Sequence, residues 1–295
     1  MITFFKYNSC GNDFIIIDNR DKVFSINNNY IKKLCDRHLG IGADGLILLE
    51  DSSEANYFMN YFNSDGFIAS FCGNGNLCCG HFAHHLDMLN KKNQDYIGTF
   101  ATREGVFNLQ VGTDSVSICM PDITNYNISN KNIGEDLIIN TGSPHCVIFQ
   151  KSIHQIDVNQ EGRVIRNSKL YREEGINVTF VSSSMLYSID NSKICDFSMI
   201  DTRTYERGVE SETLSCGTGV VAAALSEIIY YILSSDSPKF KKPFSHSTKV
   251  TTMGGLLLVQ FTCDYKQNNN VWDFSFSDIV LSNKVNMVFQ GQLPF

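Results

Sequence analysis

The chain sets down the same local pattern twice. From residue 71 it reads FCGNGNLCCGHFAHHL, and from residue 215 it reads SCGTGVVAAALSEIIYYIL. In both stretches a cysteine precedes Gly-X-Gly and leads into an apolar run that predicts a helix, and the two lie about half a chain apart. The sequence around them is rich in short strand-like runs. In the first half these are TFFKY, DFIIID, GLILLE, NYFMNYF, YIGTF, VFNLQV and VSICMP, with turn signals SDG at 64–66 and REG at 103–105. NNYIKKLCDRHLG predicts one more helix, closed by Gly40. The second half repeats the theme with LIINTGSPHCVIF, INVTFV, KICDFSMIDTRTY and the hairpin-like KVTTMGGLLLVQF. One cysteine-headed helix among several strands, twice over, predicts two similar α/β or α+β lobes. The polar stretch PDITNYNISNKNIGEDL, 121–137, reads as a loop near the midpoint and is where the lobes are expected to divide. KVNMVFQGQLPF reads as a closing strand.

A length of 295 residues allows one large domain or two of about 150, each able to bury a core. A net charge of −7 argues against nucleic acid and favours a small-molecule substrate. The opening MITFFKYNSCGNDF has no secretory pattern, and the longest apolar run, Val220 to Leu233, contains Glu227 and is short for a bilayer. The expectation is a cytoplasmic protein with no membrane partner. Its ten cysteines then read as reduced thiols, several of them small buried apolar side chains.

A thiol at the first turn of a helix sits among outward-pointing N–H groups and the positive end of the helix dipole. These favour the thiolate and bring the pKa of a free cysteine down from about 8.5 toward neutrality. The glycines are expected to let the backbone turn tightly and approach a ligand, leaving N–H groups to hold a carboxylate. One thiolate removing a proton from a carbon acid while an opposite thiol delivers another would invert a stereocentre without a cofactor. Cys72 and Cys216 are the candidates. Three other readings stand beside this one. Cysteines in a reduced chain are commonly inert core residues. The cluster Cys78, Cys79, His81, His84 and His85 offers metal-ligand chemistry, with His81 and His85 four apart on a helix, though no CxxC or HExxH pattern is present. A Cys72–Cys216 redox switch is the third.

Seven ordered motifs go further: GNDF (11–14), GIGADG (40–45), FNSDG (62–66), CGNG (72–75), SPH (143–145), YERG (205–208) and SCGTG (215–219). In order and spacing, along essentially the whole chain, they resemble the diaminopimelate epimerase family. The resemblance implies an α+β fold of two pseudo-twofold-related lobes, each a mixed, barrel-like sheet around a central helix. Its closing strand rejoins the first lobe, giving lobes 1–122 plus 281–295 and 123–280. It implies a cofactor-independent isomerase converting LL- to meso-diaminopimelate for lysine and peptidoglycan precursor synthesis, and a homodimer. Position by position, Cys72 and Cys216 match the catalytic pair, and Gly73, Asn74, Gly217 and Thr218 match the residues holding the reacting carboxylate. Asn12, Asn63, Asn177 and Arg207 match the side chains for the distal amino and carboxylate groups. His145 and Glu206 match polar groups near the reacting centre, expected to orient the substrate and stabilise its ammonium, with Ser143 supporting. From residues alone the Asn12 and Asn63 sites also read as turn caps, His145 as a structural histidine, and Glu206–Arg207 as a surface pair. Leu77 stands where many members have Arg, Ser143 where many have Asn, and Phe67 and Ile68 where residues are usually more polar. These departures leave open a racemase of another amino acid, such as glutamate, on the same fold.

Overall fold

The computed structural model describes residues 1–69, 71–129, 136–183, 197–234, 241–269 and 271–293. Two compact units emerge, Met1–Cys119 with Ser282–Phe295, and Met120–Leu281.

In the first unit, β1 (Ile2–Ser9) turns back antiparallel into β2 (Asn12–Asp18) through Cys10 and Gly11, both with left-handed φ. Helix α1 (Asn28–Cys35) crosses over to β3 (Gly45–Glu50), which lies parallel to β2 with Phe14 opposite Gly45. β4 (Tyr57–Asn63) returns antiparallel to β3. Helix α2 (Gly73–His85) then makes a second crossover, past the short β5 (Asn90–Lys92), to β6 (Asp95–Thr102), parallel to β4. β7 (Gly105–Val111) and β8 (Val116–Cys119) continue antiparallel.

The second unit runs through the same sequence of steps. After β9 (Ile123–Ser129), β10 (Leu137–Asn140) pairs antiparallel with β11 (Pro144–Phe149). Helix α3 (Val158–Arg166) crosses to β12 (Asn177–Ser183), parallel to β11. β13 (Phe197–Glu206) returns antiparallel and carries the small partner β14 (Ser211–Thr213). Helix α4 (Gly217–Ser234) makes the second crossover to β15 (Phe244–Thr252), parallel to β13, and β16 (Gly255–Asn268) follows antiparallel. β17 (Val271–Asn283) pairs with β9, and β18 (Asn286–Leu293) finishes the first unit beside β1. Both cysteine-headed helices are thus the second crossover of one repeated β-β-α-β-β-α-β-β plan.

Those two helices fill the cores of their units. α2 touches β1, β2, β3, β4, β7 and β8, while α4 touches β10 through β13, β15 and β16. α4 is mostly apolar all round, with Glu227 among its few buried polar side chains, which suits a helix enclosed by sheet, and only Tyr230, Leu233 and Ser234 escape full burial. At eighteen residues it is longer than the apolar run suggested, and long and apolar enough to cross a membrane; 83% of it is buried inside the protein.

Four expectations change. α1 stops at Cys35 because Asp36 turns its carboxylate onto the N–H groups of His38 and Leu39; Gly40 lies beyond, pressed so close to the Lys33 carbonyl that a Cβ would meet it at 2.0 Å. The stretch 121–137 is not all loop: its polar residues Thr124, Asn125 and Asn127 lie exposed on β9 while Ile128 is buried, and pairing with β17 supplies the order that composition concealed. α3 went unforeseen because VNQEGRVIR is short and has a mid-helix glycine. Its start is fixed by Asp157, whose side chain accepts the Gln160 N–H, and Gly162 is required because a Cβ there would lie 2.4 Å from the Tyr205 Cβ. β17 was also missed. The beginning of KICDFSMIDTRTY, with Cys195, lies outside the described residues.

Candidate active site

In the first unit Cys72 is the N-cap of α2. Its backbone is extended (φ −120°, ψ 107°), its carbonyl accepts the Asn76 N–H at 2.9 Å, and its sulfur accepts the Gly75 N–H at 3.4 Å. A cap position normally held by Ser, Thr, Asp or Asn is here held by sulfur, so the amide that would bond a cap oxygen stabilises negative charge on a thiolate. Gly73 and Asn74 form the first turn, where N–H groups point out of the helix. The Cys72 thiol lies 3.9 Å from Asn12 Oδ1, and the Asn12 amide nitrogen donates to Asp44 at 2.8 Å. Register explains this gathering: the parallel β2–β3 pairing begins with Phe14 opposite Gly45, so Asn12 and Asp44 lie within two residues of its start, and Asn63 is directly across from Gly45 on β4. Beneath them, Lys6 and Arg37 bind Asp13 at 2.6 and 2.8 Å, and Arg37 also reaches Asp44. Burial pushes the Asp13 carboxyl up, but hydrogen bonds from Arg37 and Lys6 outweigh it and hold it low. Burial and then the Asp13 charge push Asp44 up. Asn63 opens the turn, its carbonyl accepting the Gly66 N–H. Phe67 and Ile68 just beyond it are exposed, whereas Leu77 is wholly buried in the core.

In the second unit the Val220 N–H donates to the Cys216 carbonyl at 2.8 Å, so Cys216 likewise stands at the first turn, of α4. Its sulfur is 3.5 Å from the Thr218 hydroxyl. That hydroxyl meets His145 Nε2 at 2.9 Å, and His145 Nδ1 meets the Thr179 hydroxyl at 3.0 Å, which continues to Thr204 at 3.2 Å. Thr141 holds the Thr218 carbonyl at 2.8 Å. Burial, and then the Arg207 charge, bring the His145 pKa down to about 3, so the ring is neutral with one nitrogen donating and one accepting. With both nitrogens engaged and no exposed surface, His145 acts on Thr218. Asn177, opposite His145 in the β11–β12 register, donates to the Ser143 hydroxyl and the Pro144 carbonyl and accepts the Arg207 backbone N–H at 2.9 Å. Arg207 is further anchored by the Glu174 carbonyl, and Glu206 accepts the Thr213 hydroxyl. The Ser143 that replaces Asn is therefore a ligand of Asn177.

The glycines of the two motifs do not make the left-handed turn expected of them. None of Gly73, Gly75, Gly217 or Gly219 has left-handed φ. The second glycine of each motif is there for space: a Cβ on Gly75 would come within 3.0 Å of Met59 Cε, and one on Gly219 within 3.1 Å of His145, Thr179 and Thr204. The threonine relay and Asp44 are the site residues that single-sequence reading missed. Asp44 lay inside the GIGADG motif, while nothing local marks Thr179 or Thr204.

The histidines of α2 are engaged with rings: His81 with Tyr7, His84 with Tyr96 at 4.1 Å and His85 with Phe5. Among the described residues no three His, Cys, Asp or Glu side chains are grouped to hold a metal.

Comparison with known proteins places this geometry. The diaminopimelate epimerase family model matches residues 4–120 and 137–270. The diaminopimelate epimerase of Flavobacterium psychrophilum is 38% identical over 290 residues, 97% of this chain and 98% of that one. That of Aquifex aeolicus is 32% identical over 98% and 97% of the two chains. Among solved structures, a probable proline racemase from Agrobacterium radiobacter aligns with a TM-score of 0.65 at 12% identity, covering 100% of this chain and 93% of that one. A phenazine biosynthesis protein from Bacillus anthracis aligns at 0.61 and 13%, covering 100% and 99%. These two share the fold. With a family model spanning both units, and relatives alike along almost their entire length, the chain belongs to the diaminopimelate epimerase family.

Proposed function

We propose that this chain is a cofactor-independent two-base epimerase interconverting LL- and meso-2,6-diaminopimelate, in the supply of lysine and peptidoglycan precursors. The observation that carries it is the sulfur cap: Cys72 heads α2 with its Sγ on the Gly75 N–H, and Cys216 opens the topologically equivalent α4. One cysteine, as thiolate, takes the α-proton, forming S–H as the C–H bond breaks and its electron pair spreads into the α-carboxylate. The other thiol then gives its proton to the opposite face of the carbon. First-turn N–H groups at Gly73, Asn74, Gly217 and Thr218 would stabilise the charge that develops on the carboxylate. His145 positions Thr218 beside the Cys216 sulfur. Asn12, Asn63, Asn177, Glu206 and Arg207 are assigned to the substrate's amino and distal carboxylate groups, with the Arg207 guanidinium suited to a carboxylate. A reducing compartment such as the cytosol suits this chemistry, because both sulfurs must stay reduced. The homodimer implied by the family is part of the proposal and is checked by sedimentation.

The test is to incubate reduced protein with LL-diaminopimelate in deuterium oxide and follow stereochemistry and label. Meso product carrying deuterium at one α-carbon is expected, and Cys72→Ala and Cys216→Ala should each abolish conversion while leaving the fold intact. The exposed Phe67 and Ile68 beside Asn63 favour one alternative, a racemase of a simpler amino acid. Inversion of glutamate with diaminopimelate left untouched would establish that reading instead.

A further inference from the structure

The turn from β13 into β14 presents Glu206 and Arg207, and a further acidic residue, Glu210, closes it by donating its N–H to the Glu206 carbonyl at 2.8 Å. Glu210 has φ +59°, a left-handed conformation that a non-glycine residue keeps only where its surroundings hold it. Its side chain supplies the hold. Oε1 accepts the Gly208 N–H and Oε2 the Tyr205 hydroxyl, both at 3.2 Å, and Arg166 Nε stands 3.3 Å from Oε1. Arg166 is the last residue of α3, and Gly162 lets that helix lie close enough to Tyr205 for the arginine to reach the turn.

Arg166 and Arg207 pass over the same glycine. Gly175 has φ +75°, and a Cβ there would come within 2.5 Å of Arg207 Cδ and 3.0 Å of Arg166 Cζ. The two side chains differ in their partners. Arg166 has the Glu210 carboxylate, whereas the Arg207 guanidinium is held by the neutral Glu174 carbonyl at 3.0 Å and has no ion-pair partner among the described residues. Glu206, the other carboxylate of the turn, accepts the Thr213 hydroxyl. An arginine flanked by acidic residues yet paired with none of them is suited to a carboxylate that arrives with the substrate.

We propose that Arg166 is a positioning residue: by engaging Glu210 it keeps that carboxylate off Arg207, whose guanidinium stays available to the distal carboxylate of the substrate. The inference rests on the diaminopimelate reading above and deepens its distal site. Without Arg166, Glu210 and Arg207 would pair within their own tight turn, and substrate would have to displace an internal carboxylate. Glu210 is 44% exposed, so the competing pair is a weak one and its effect on substrate binding is modest. Arg166 itself leaves the substrate untouched.

The experiment measures KM and kcat for LL-diaminopimelate in wild type, R166Q, R166M, E210Q and the double variant R166Q/E210Q. R166Q should raise KM about fivefold with kcat little changed, because the competition acts on binding and not on the chemical step. R166M, which keeps much of the stem over Gly175 without the charge, should behave in the same way. E210Q should stay within about twofold of the wild-type KM. The double variant should return to that range, since no carboxylate remains to compete. A merely structural role for Arg166 would instead leave the double variant at least as impaired as R166Q. An unchanged KM in R166Q and R166M, or a double variant no better than R166Q, overturns the proposal. A wild-type protein that inverts no diaminopimelate would defeat the functional reading instead, so the two failures are distinct.

Discussion

His145 and Glu227 are both buried in the second unit, and pH pulls on them in opposite senses. His145 has its folded pKa depressed from 6.5 to about 3, so below 6.5 the unfolded chain binds a proton that the folded chain refuses. Stability tied to this group is present above about pH 6.5 and is lost as the pH falls toward 3. Glu227 has its folded pKa raised from 4.5 to about 7, first by burial, although the hydroxyls of Ser183 and Ser198 hydrogen-bond to it and pull the other way. Ser198 also touches His246 and Thr248. Here the folded state keeps the proton longer, so stability is fully present below about 4.5 and is lost as the pH rises through about 7. The expected outcome is that E227Q gains about 1–3 kcal/mol over wild type at about pH 8.5 and little at about pH 5, read from urea midpoints. H145Q should flatten the acid limb of the same curve and lower turnover by loosening Thr218. Residue-scale features of this kind were only partly readable beforehand. The two catalytic candidates stood out because capping is local, whereas the neutrality of His145 depends on burial by strands far away in sequence.

At the scale of elements, the packing glycines carry the clearest prediction. Gly162 lets α3 lie flat against β13, where a Cβ would press on Tyr205 at 2.4 Å. G162A, normally favourable in a helix, should here destabilise the protein by about 1–3 kcal/mol, measured by chemical denaturation. The same helix shows why some elements were invisible in sequence. α3 is nine residues with a central glycine, and β9 is mostly polar, so neither has the local propensity to declare itself. Each is specified by what it packs on or pairs with. α2 and α4 were readable because a cysteine followed by Gly-X-Gly and a helical pattern is a signal carried within one stretch of chain.

For the whole molecule, the decisive feature is that the chain leaves the first unit at Cys119 and returns to it at Ser282. β1 pairs with β2 on one side and with β18 on the other. Truncation after Leu281 should therefore speed amide exchange along β1, through residues 2–8, while leaving β11, β12 and β13 protected. Equal loss of protection in both units would contradict the division.

The sequence by itself determined that there are two cysteine-headed helices, where each begins, which motifs surround them and what family they belong to. All of these are properties of contiguous residues, set by capping geometry and short-range pattern. Only the tertiary structure decided that the two helices occupy equivalent places in a repeated plan, that His145 serves Thr218, and that Asn177 ties Ser143 to Arg207. Those facts arise from strand register and from burial, which join residues tens of positions apart and leave no mark on any one stretch of chain.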